Sequence, residues 1–382
     1  MYLRNEWIQR IETAFRDRSV VWLKGVRRAG KTVLCRSLPD IEYFDCELPR
    51  TRRLLEDPEG FLNEVRGKRI VLDEIHRLTN PSEILKIAAD HYPDIQILAT
   101  GSSTLGASAK FSDTLTGRKR TVWLTPMTLA DLKAFHQDNL THRLQRGGLP
   151  PFFLADALPE SDYQEWLDSY WAKDIQELFR LERRASFQRL VELMAAQSGS
   201  IFEATRFAGP CEMNRQTVTN YLAVLEATLV AHVVRPFSTR RSTELVSAPK
   251  VYAFDTGFVC FARGWRDLRP EDLGLLWEHF VLNEMQASLQ MQEIHYWRDK
   301  NKHELDFVIR RRGEAPDAIE CKWSAAEFDP KNLLAFRRQY PQGKNWVVAT
   351  DVERSFTRQV KGVEVCYVGL RELVGSLAEL AR

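Results

Sequence analysis

The chain has 382 residues, 44 % of them apolar and 28 % charged, and a formal net charge of +2. This length holds two or three domains with their own cores, and the composition is that of an ordinary soluble globular protein. No apolar run approaches the roughly 18 residues of a membrane-spanning helix, so no membrane partner is expected.

The cysteines at 35, 46, 211, 260, 321 and 366 include no pair at CxxC spacing. That argues against a zinc site or a disulfide framework and for a reducing cytoplasm. The near-neutral net charge announces no nucleic-acid partner. Local basic clusters do occur, at Arg118-Lys119-Arg120, Arg240-Arg241 and Arg310-Arg311-Arg312.

The opening "MYLRNEWIQRIETAFRDRS" has the periodicity of an amphipathic helix and lacks the features of a signal peptide. Short β-branched runs then alternate with helical patterns: "VVWLK", "IEYFDC", "RIVLDEI", "IQILATG" and "RTVWL". Such alternation predicts a parallel sheet flanked by helices.

Between the first strand and its helix lies "GVRRAGKT", with Gly25, Gly30, Lys31 and Thr32 at the specified positions of a phosphate-binding loop. Backbone N–H groups from Gly25, Val26, Arg27, Arg28 and Ala29 through Gly30 to Val33 would cradle the phosphates of ATP. Lys31 adds positive charge there, and Thr32 offers a hydroxyl to Mg²⁺. The buried strand "RIVLDEIH" ends in Asp73-Glu74. Asp73 is expected to hold the magnesium through water, and Glu74 to polarise the attacking water, which favours hydrolysis over binding alone. In "ILATGSS", Thr100 or Ser102 would sense the γ-phosphate. In "LTGRKR", Arg118 is the candidate arginine finger toward a neighbouring subunit.

"LQRGGLPPFF" is a Gly/Pro break. Residues 161–182 read as a connecting helix with Tyr163, Trp166, Leu167 and Tyr170 on one face. From 187 to 255, three helical patterns and two strands predict a winged helix-turn-helix. Its third helix carries Val218, Tyr221, Leu222 and Leu225 toward the core, with Asn214 as N-cap. Arg215, Gln216, Thr217 and Asn220 on its other face would enter the major groove, with Arg240 and Arg241 near phosphates.

A second break, "ARGWRDLRPED", precedes a helix and the strands "IHYWRD", "ELDFVIR" and "DAIECKW". A metal-dependent nuclease needs carboxylates on adjacent strands for Mg²⁺ or Mn²⁺ and a lysine beside them. Asp306 and Glu320 would supply the acids. Lys322 shares a face with Glu320 because strand side chains alternate. Glu278 on the preceding helix would add another acid, with Glu284 as the weaker candidate.

These motifs, with "GGLPPFF", "YWAKDI", "PKVYAFDTGF" and "LLWEHFVLNE", give a resemblance over essentially the whole chain. It resembles prokaryotic AAA-type P-loop ATPases whose C-terminal half is usually labelled a domain of unknown function. The resemblance implies an α/β chain in four parts. An ATPase domain with a short lid spans 1–145, and a helical connector spans 146–186. A winged helix-turn-helix spans 187–262, and a restriction-endonuclease-like (PD-(D/E)xK-type) domain spans 270–382. ATP and Mg²⁺ are the expected cofactors, with a second Mg²⁺ or Mn²⁺ at the nuclease-like centre. DNA and further copies of the chain, in a ring or hexamer, are the expected partners. The leading expectation is a DNA-binding motor or remodeller, acting on branched or junction DNA. Two alternatives stand beside it: an ATP-gated endonuclease of defence or repair, and a nucleotide-switched regulatory protein whose winged helix binds protein.

Overall fold

The computed structural model describes residues 3–101, 114–157, 160–176, 183–238, 248–290, 293–310 and 313–379. They form two compact units. The first comprises residues 1–139, 148–184 and 223–230, and the second comprises residues 140–147, 185–222 and 231–382.

The first unit is built on five parallel strands: β1 (Val20–Lys24), β2 (Ile41–Asp45), β3 (Arg69–Asp73), β4 (Gln96–Thr100) and β5 (Lys119–Trp123). They lie in the order β2-β3-β4-β1-β5. The three inner strands are apolar and buried nearly end to end, as a sheet covered on both faces requires. Edge strands β2 and β5 are more polar and more exposed. In parallel sheets ligands bind at the carboxyl ends of the strands, and here β1 and β3 deliver the phosphate-loop motif and Asp73-Glu74 to that edge.

The helix Asn5–Asp17 buries Trp7, Ile11 and Phe15, spaced four residues apart on one face. The stretch after Gly148 clusters with this unit because its aromatic face is buried there: Tyr163, Trp166, Leu167 and Tyr170 are all inaccessible on the helix Glu160–Tyr170. Residues Trp171–Gln176 continue it as a wider π-helical turn.

The second unit holds a nine-stranded sheet. Its strands are β6 (Ser200–Ile201), β7 (Ala231–Pro236), β8 (Lys250–Ala253), β9 (Ile294–Arg298), β10 (Glu304–Ile309), β11 (Asp317–Lys322), β12 (Asn345–Ala349), β13 (Phe356–Val360) and β14 (Val363–Val368). The order is β13-β14-β12-β11-β10-β9-β7-β8-β6. β7 pairs antiparallel with β8 through Val234↔Lys250, then parallel with β9 through Arg235↔His295. One sheet therefore runs through segments whose sequence patterns read as two domains. The helix Pro270–Leu289 crosses it, with the Trp277 indole N–H donating to the Val348 carbonyl at 3.1 Å.

Arg143, 1 % exposed, is a structural cation of this unit. It donates to Thr256 Oγ1 at 3.0 Å, lies 3.9 Å from Asp255 and stacks over Phe280. Asp255 also caps the helix Thr256–Arg263 through the Gly257 N–H. No helix among the described residues is long and apolar enough to cross a membrane.

Candidate active site

The phosphate-binding loop leaves β1 at Lys24 and is shaped by two glycines. A Cβ on Gly25 would meet the Leu124 carbonyl oxygen at 2.6 Å, and Gly30 has φ +96°. Arg28 also sits in the left-handed region, at φ 60°. From outside the loop, Arg4 donates to the Ala29 carbonyl at 3.0 Å and pairs with buried Asp131 at 2.5 Å. Burial pushes the Asp131 carboxyl up, but Arg4 and the Thr128 hydrogen bonds outweigh it and hold it below the usual aspartate value.

Lys31 Nζ donates to the Gly25 and Val26 carbonyls at 2.8 and 3.2 Å, folding back over its own loop. Burial pulls this ammonium below the ordinary lysine range, opposed by Glu74, Asp174 and Asp73. Thr32 Oγ1 donates to Asp73 Oδ2 at 2.9 Å. Tyr43 and Thr100 hydroxyls donate to the same carboxylate, and Thr100 Oγ1 accepts from the Glu74 N–H at 3.2 Å. Glu74, directly after β3, sits in the left-handed region at φ 54°. Burial pushes its carboxyl up, but the His76 ring nitrogen 3.1 Å away, with Lys31 and Arg27, brings it below the ordinary glutamate value.

These groups open onto a cavity of about 350 Å³. Its far wall is Pro150, Pro151, Trp166, Tyr170, Thr228 and Val230. Trp166 Nε1 donates to the Arg27 carbonyl at 3.2 Å, and Arg27 pairs with Asp174 at 3.2 Å. Arg28 pairs with Glu165. The connecting helix is thus tied directly to the loop, and nothing in its periodicity signals this: Trp166 reads as a core aromatic.

The remaining expectations distribute unevenly. Ser102, Arg240 and Arg241 lie outside the described residues. Arg118 chelates Asp90 of the same unit, at 2.7 and 3.0 Å. Arg215, Gln216 and Asn220 are exposed and Thr217 is half-buried on the helix Arg215–Ala227, with Gln216 donating to Asn220 at 3.0 Å. Asn214 Oδ1 accepts from the Thr217 N–H at 2.8 Å, as a cap does.

In the second unit Glu278, Asp306, Glu320 and Lys322 do converge. Lys322 Nζ lies 2.7 Å from Glu320 Oε2 and 3.5 Å from Asp306 Oδ2. Asp306 sits where the β9–β10 register shifts, and it accepts from the Cys321 N–H at 2.7 Å. Burial, then Asp306, pushes the Glu320 carboxyl up to about 8. Two residues missed in the sequence join from β8. Lys250 Nζ lies 2.6 Å from Glu304 and 3.4 Å from Glu278, and the Tyr252 hydroxyl donates to Glu278. Glu284 is buried on the same helix as Glu278 but six residues on, turned by about 240°.

Among the described residues no three His, Cys, Asp or Glu side chains are grouped to hold a metal ion. For the ATPase site this is no obstacle. Mg²⁺ there takes most ligands from phosphate and water and only one or two from protein, and the bonded Thr32–Asp73 pair fits that demand.

Comparison with known proteins places an AAA domain over residues 17–133 and two domains of unknown function, DUF8612 over 137–269 and DUF4143 over 273–368. The chain resembles the Walker-type ATPase PABY2304 of Pyrococcus abyssi at 14 % identity, over 69 % of this chain and 96 % of that one, with a TM-score of 0.44. It is 30 % identical over 332 residues to the uncharacterized proteins Rv2008c of Mycobacterium tuberculosis and Mb2031c of Mycobacterium bovis. The match covers 84 % of this chain and 74 % of each relative. The protein belongs to the family of these two mycobacterial proteins, and its N-terminal part is an AAA-type P-loop ATPase domain.

Proposed function

We propose that the protein is a Mg²⁺-dependent ATPase that acts on DNA through its second unit, binding the nucleic acid without cutting it. The observation that carries the ATPase half is the convergence of Lys31, Thr32, Asp73 and Glu74 on one open cavity. Lys31 leaves its carbonyl partners for the phosphates, and loop N–H groups hold their oxygens. Thr32 and Asp73 would hold Mg²⁺, which when bound would neutralise charge on the phosphate chain. Glu74, kept ionised by His76, Lys31 and Arg27, orients water and draws its proton. Pro150, Trp166 and Val230 give the rest of the nucleotide an apolar wall.

The DNA half is supported by the order of elements from Arg184 to Ala253. The helices Arg184–Ala196, Ala204–Ala208 and Arg215–Ala227 precede the β7–β8 hairpin, to which short β6 adds as a third strand. We read that order as a winged helix-turn-helix, with the polar outer face of its third helix as the reading surface. Strands β9 to β12 with the crossing helix are the nuclease-like part. Ring or hexamer assembly belongs to this reading, with Arg118 exchanging Asp90 for a neighbour's nucleotide.

ATP turnover by the full chain, with and without duplex and four-way-junction DNA, tests both halves. Turnover that needs Lys31 and rises with DNA supports the proposal. Turnover indifferent to DNA, with ATP-dependent capture of a protein instead, would replace it with the nucleotide-switched reading.

A further inference from the structure

The motif "PKVYAFD" takes no part in the ATPase chemistry, yet it sends Lys250 into the acidic cluster of the second unit. We infer that Lys250 is a resident counter-ion of this cluster and excludes a divalent cation from it. Four carboxylates meet there: Glu278 from the helix Pro270–Leu289, Glu304 and Asp306 from β10, and Glu320 from β11.

Five of their eight oxygens face a cation or a hydrogen-bond donor. Lys250 Nζ bridges Glu304 Oε1 at 2.6 Å and Glu278 Oε1 at 3.4 Å, and the Tyr252 hydroxyl donates to that same Glu278 oxygen. Arg298 lies 3.5 Å from Glu304 Oε2. Lys322 Nζ spans Glu320 Oε2 and Asp306 Oδ2, and the Cys321 N–H occupies the latter at 2.7 Å. Glu320 Oε1 is the one buried carboxylate oxygen of the four with no hydrogen-bond partner. A hard divalent cation asks for about six oxygen ligands and at least one or two ionised carboxylates.

Lys250 cannot step aside without cost. Its side chain is 5 % exposed, and a second cation between Glu278 and Glu304 would repel the ammonium across a poorly screened interior. Lys250 arrives from β8, outside the helix-acid, strand-acid, Glu-x-Lys pattern. That pattern alone reads as a metal centre, and the cation closing it comes from elsewhere in the chain.

Mn²⁺ binding measured by electron paramagnetic resonance on the full chain, without nucleotide, tests this. Asp73→Asn is introduced in every protein so that the ATPase site does not contribute. The Lys250 parent binds no Mn²⁺ at millimolar metal, and Lys250→Arg stays equally empty. Lys250→Met, which keeps the volume and removes the charge, gains one Mn²⁺ per chain and loses it again with Glu320→Gln. A parent that holds Mn²⁺ and loses it with Asp306→Asn overturns the inference, whether or not Lys250→Met folds. So does a folded Lys250→Met that stays empty, with folding read from its near-ultraviolet circular dichroism.

Discussion

Two lysine–carboxylate constellations in this protein use the same residue types for opposite ends. In the first unit Lys31 bonds only backbone carbonyls of its own loop, and Asp73 is held by the hydroxyls of Thr32, Tyr43 and Thr100. Those partners are neutral, so among the described residues neither group forms an ion pair before something arrives in the cavity. In the second unit Lys250 and Lys322 bond carboxylates directly, so four acids share two ammonium groups. The difference lies in what surrounds each charge rather than in which charges are present. A carboxylate satisfied by hydroxyls is available to a cation, whereas one satisfied by a buried ammonium is not.

The largest expected effects fall on the open constellation. Glu74→Gln should lower ATP turnover by roughly 100- to 10,000-fold while nucleotide still binds, as loss of a positioned base does. Lys31→Ala should lower kcat/KM by at least about 100-fold, as loss of a preorganised charge on the transferring group does. Steady-state kinetics with a fluorescent-nucleotide titration separates the two, and a Glu74→Gln protein with full turnover would end the comparison.

Next comes the closed constellation. Lys250→Ala leaves buried carboxylates without their cation and should destabilise the second unit by about 3–5 kcal/mol in denaturant titration. An unchanged midpoint would mean the cluster is solvated and its ion pairs idle.

A smaller effect tests the tie between loop and connecting helix. Asp174→Asn frees Arg27 for the phosphates and should tighten ATP binding about fivefold, on the order of 1 kcal/mol for a pair whose arginine is 32 % exposed. Weaker binding would mean that Asp174 orients the loop rather than competing for it.

The smallest effect at working pH concerns Arg4–Asp131, which props Ala29. The folded Asp131 carboxyl lies below the ordinary aspartate value of 3.8. Its stabilisation is therefore fully present above about pH 4 and is lost as the pH falls through the folded value. Melting temperature followed from pH 7 to pH 3 should show this acid loss in the wild type and a flatter profile in Asp131→Asn.

Much of the first unit was legible because its signals are local. β1, β3 and β4 are apolar runs buried on both faces, and the loop and the Asp73-Glu74 pair sit directly at their ends. Arg4, Tyr43 and Asp131 carried no such signal. Asp131 looks like the third residue of a helix cap, which it is, and its pairing with Arg4 depends on a contact 127 residues away in sequence. In the second unit Asp306, Glu320 and Glu278 were legible from the nuclease-like pattern, and strand alternation put Lys322 on the face of Glu320. Lys250 was not, because its place follows from β7 pairing with β8 along one half and β9 along the other. No local period encodes that partnership, so a lysine read as part of a hairpin becomes the neighbour of acids in a distant strand.

The most direct test of the account follows end-labelled duplex, single-stranded and four-way-junction DNA with Mg²⁺ or Mn²⁺ and ATP, measuring phosphate release in the same tubes. DNA should accelerate ATP turnover in the wild type and not in Lys31→Ala, and every labelled strand should stay intact. Strand cleavage abolished by Asp306→Asn would contradict it and make the acidic cluster a working nuclease centre.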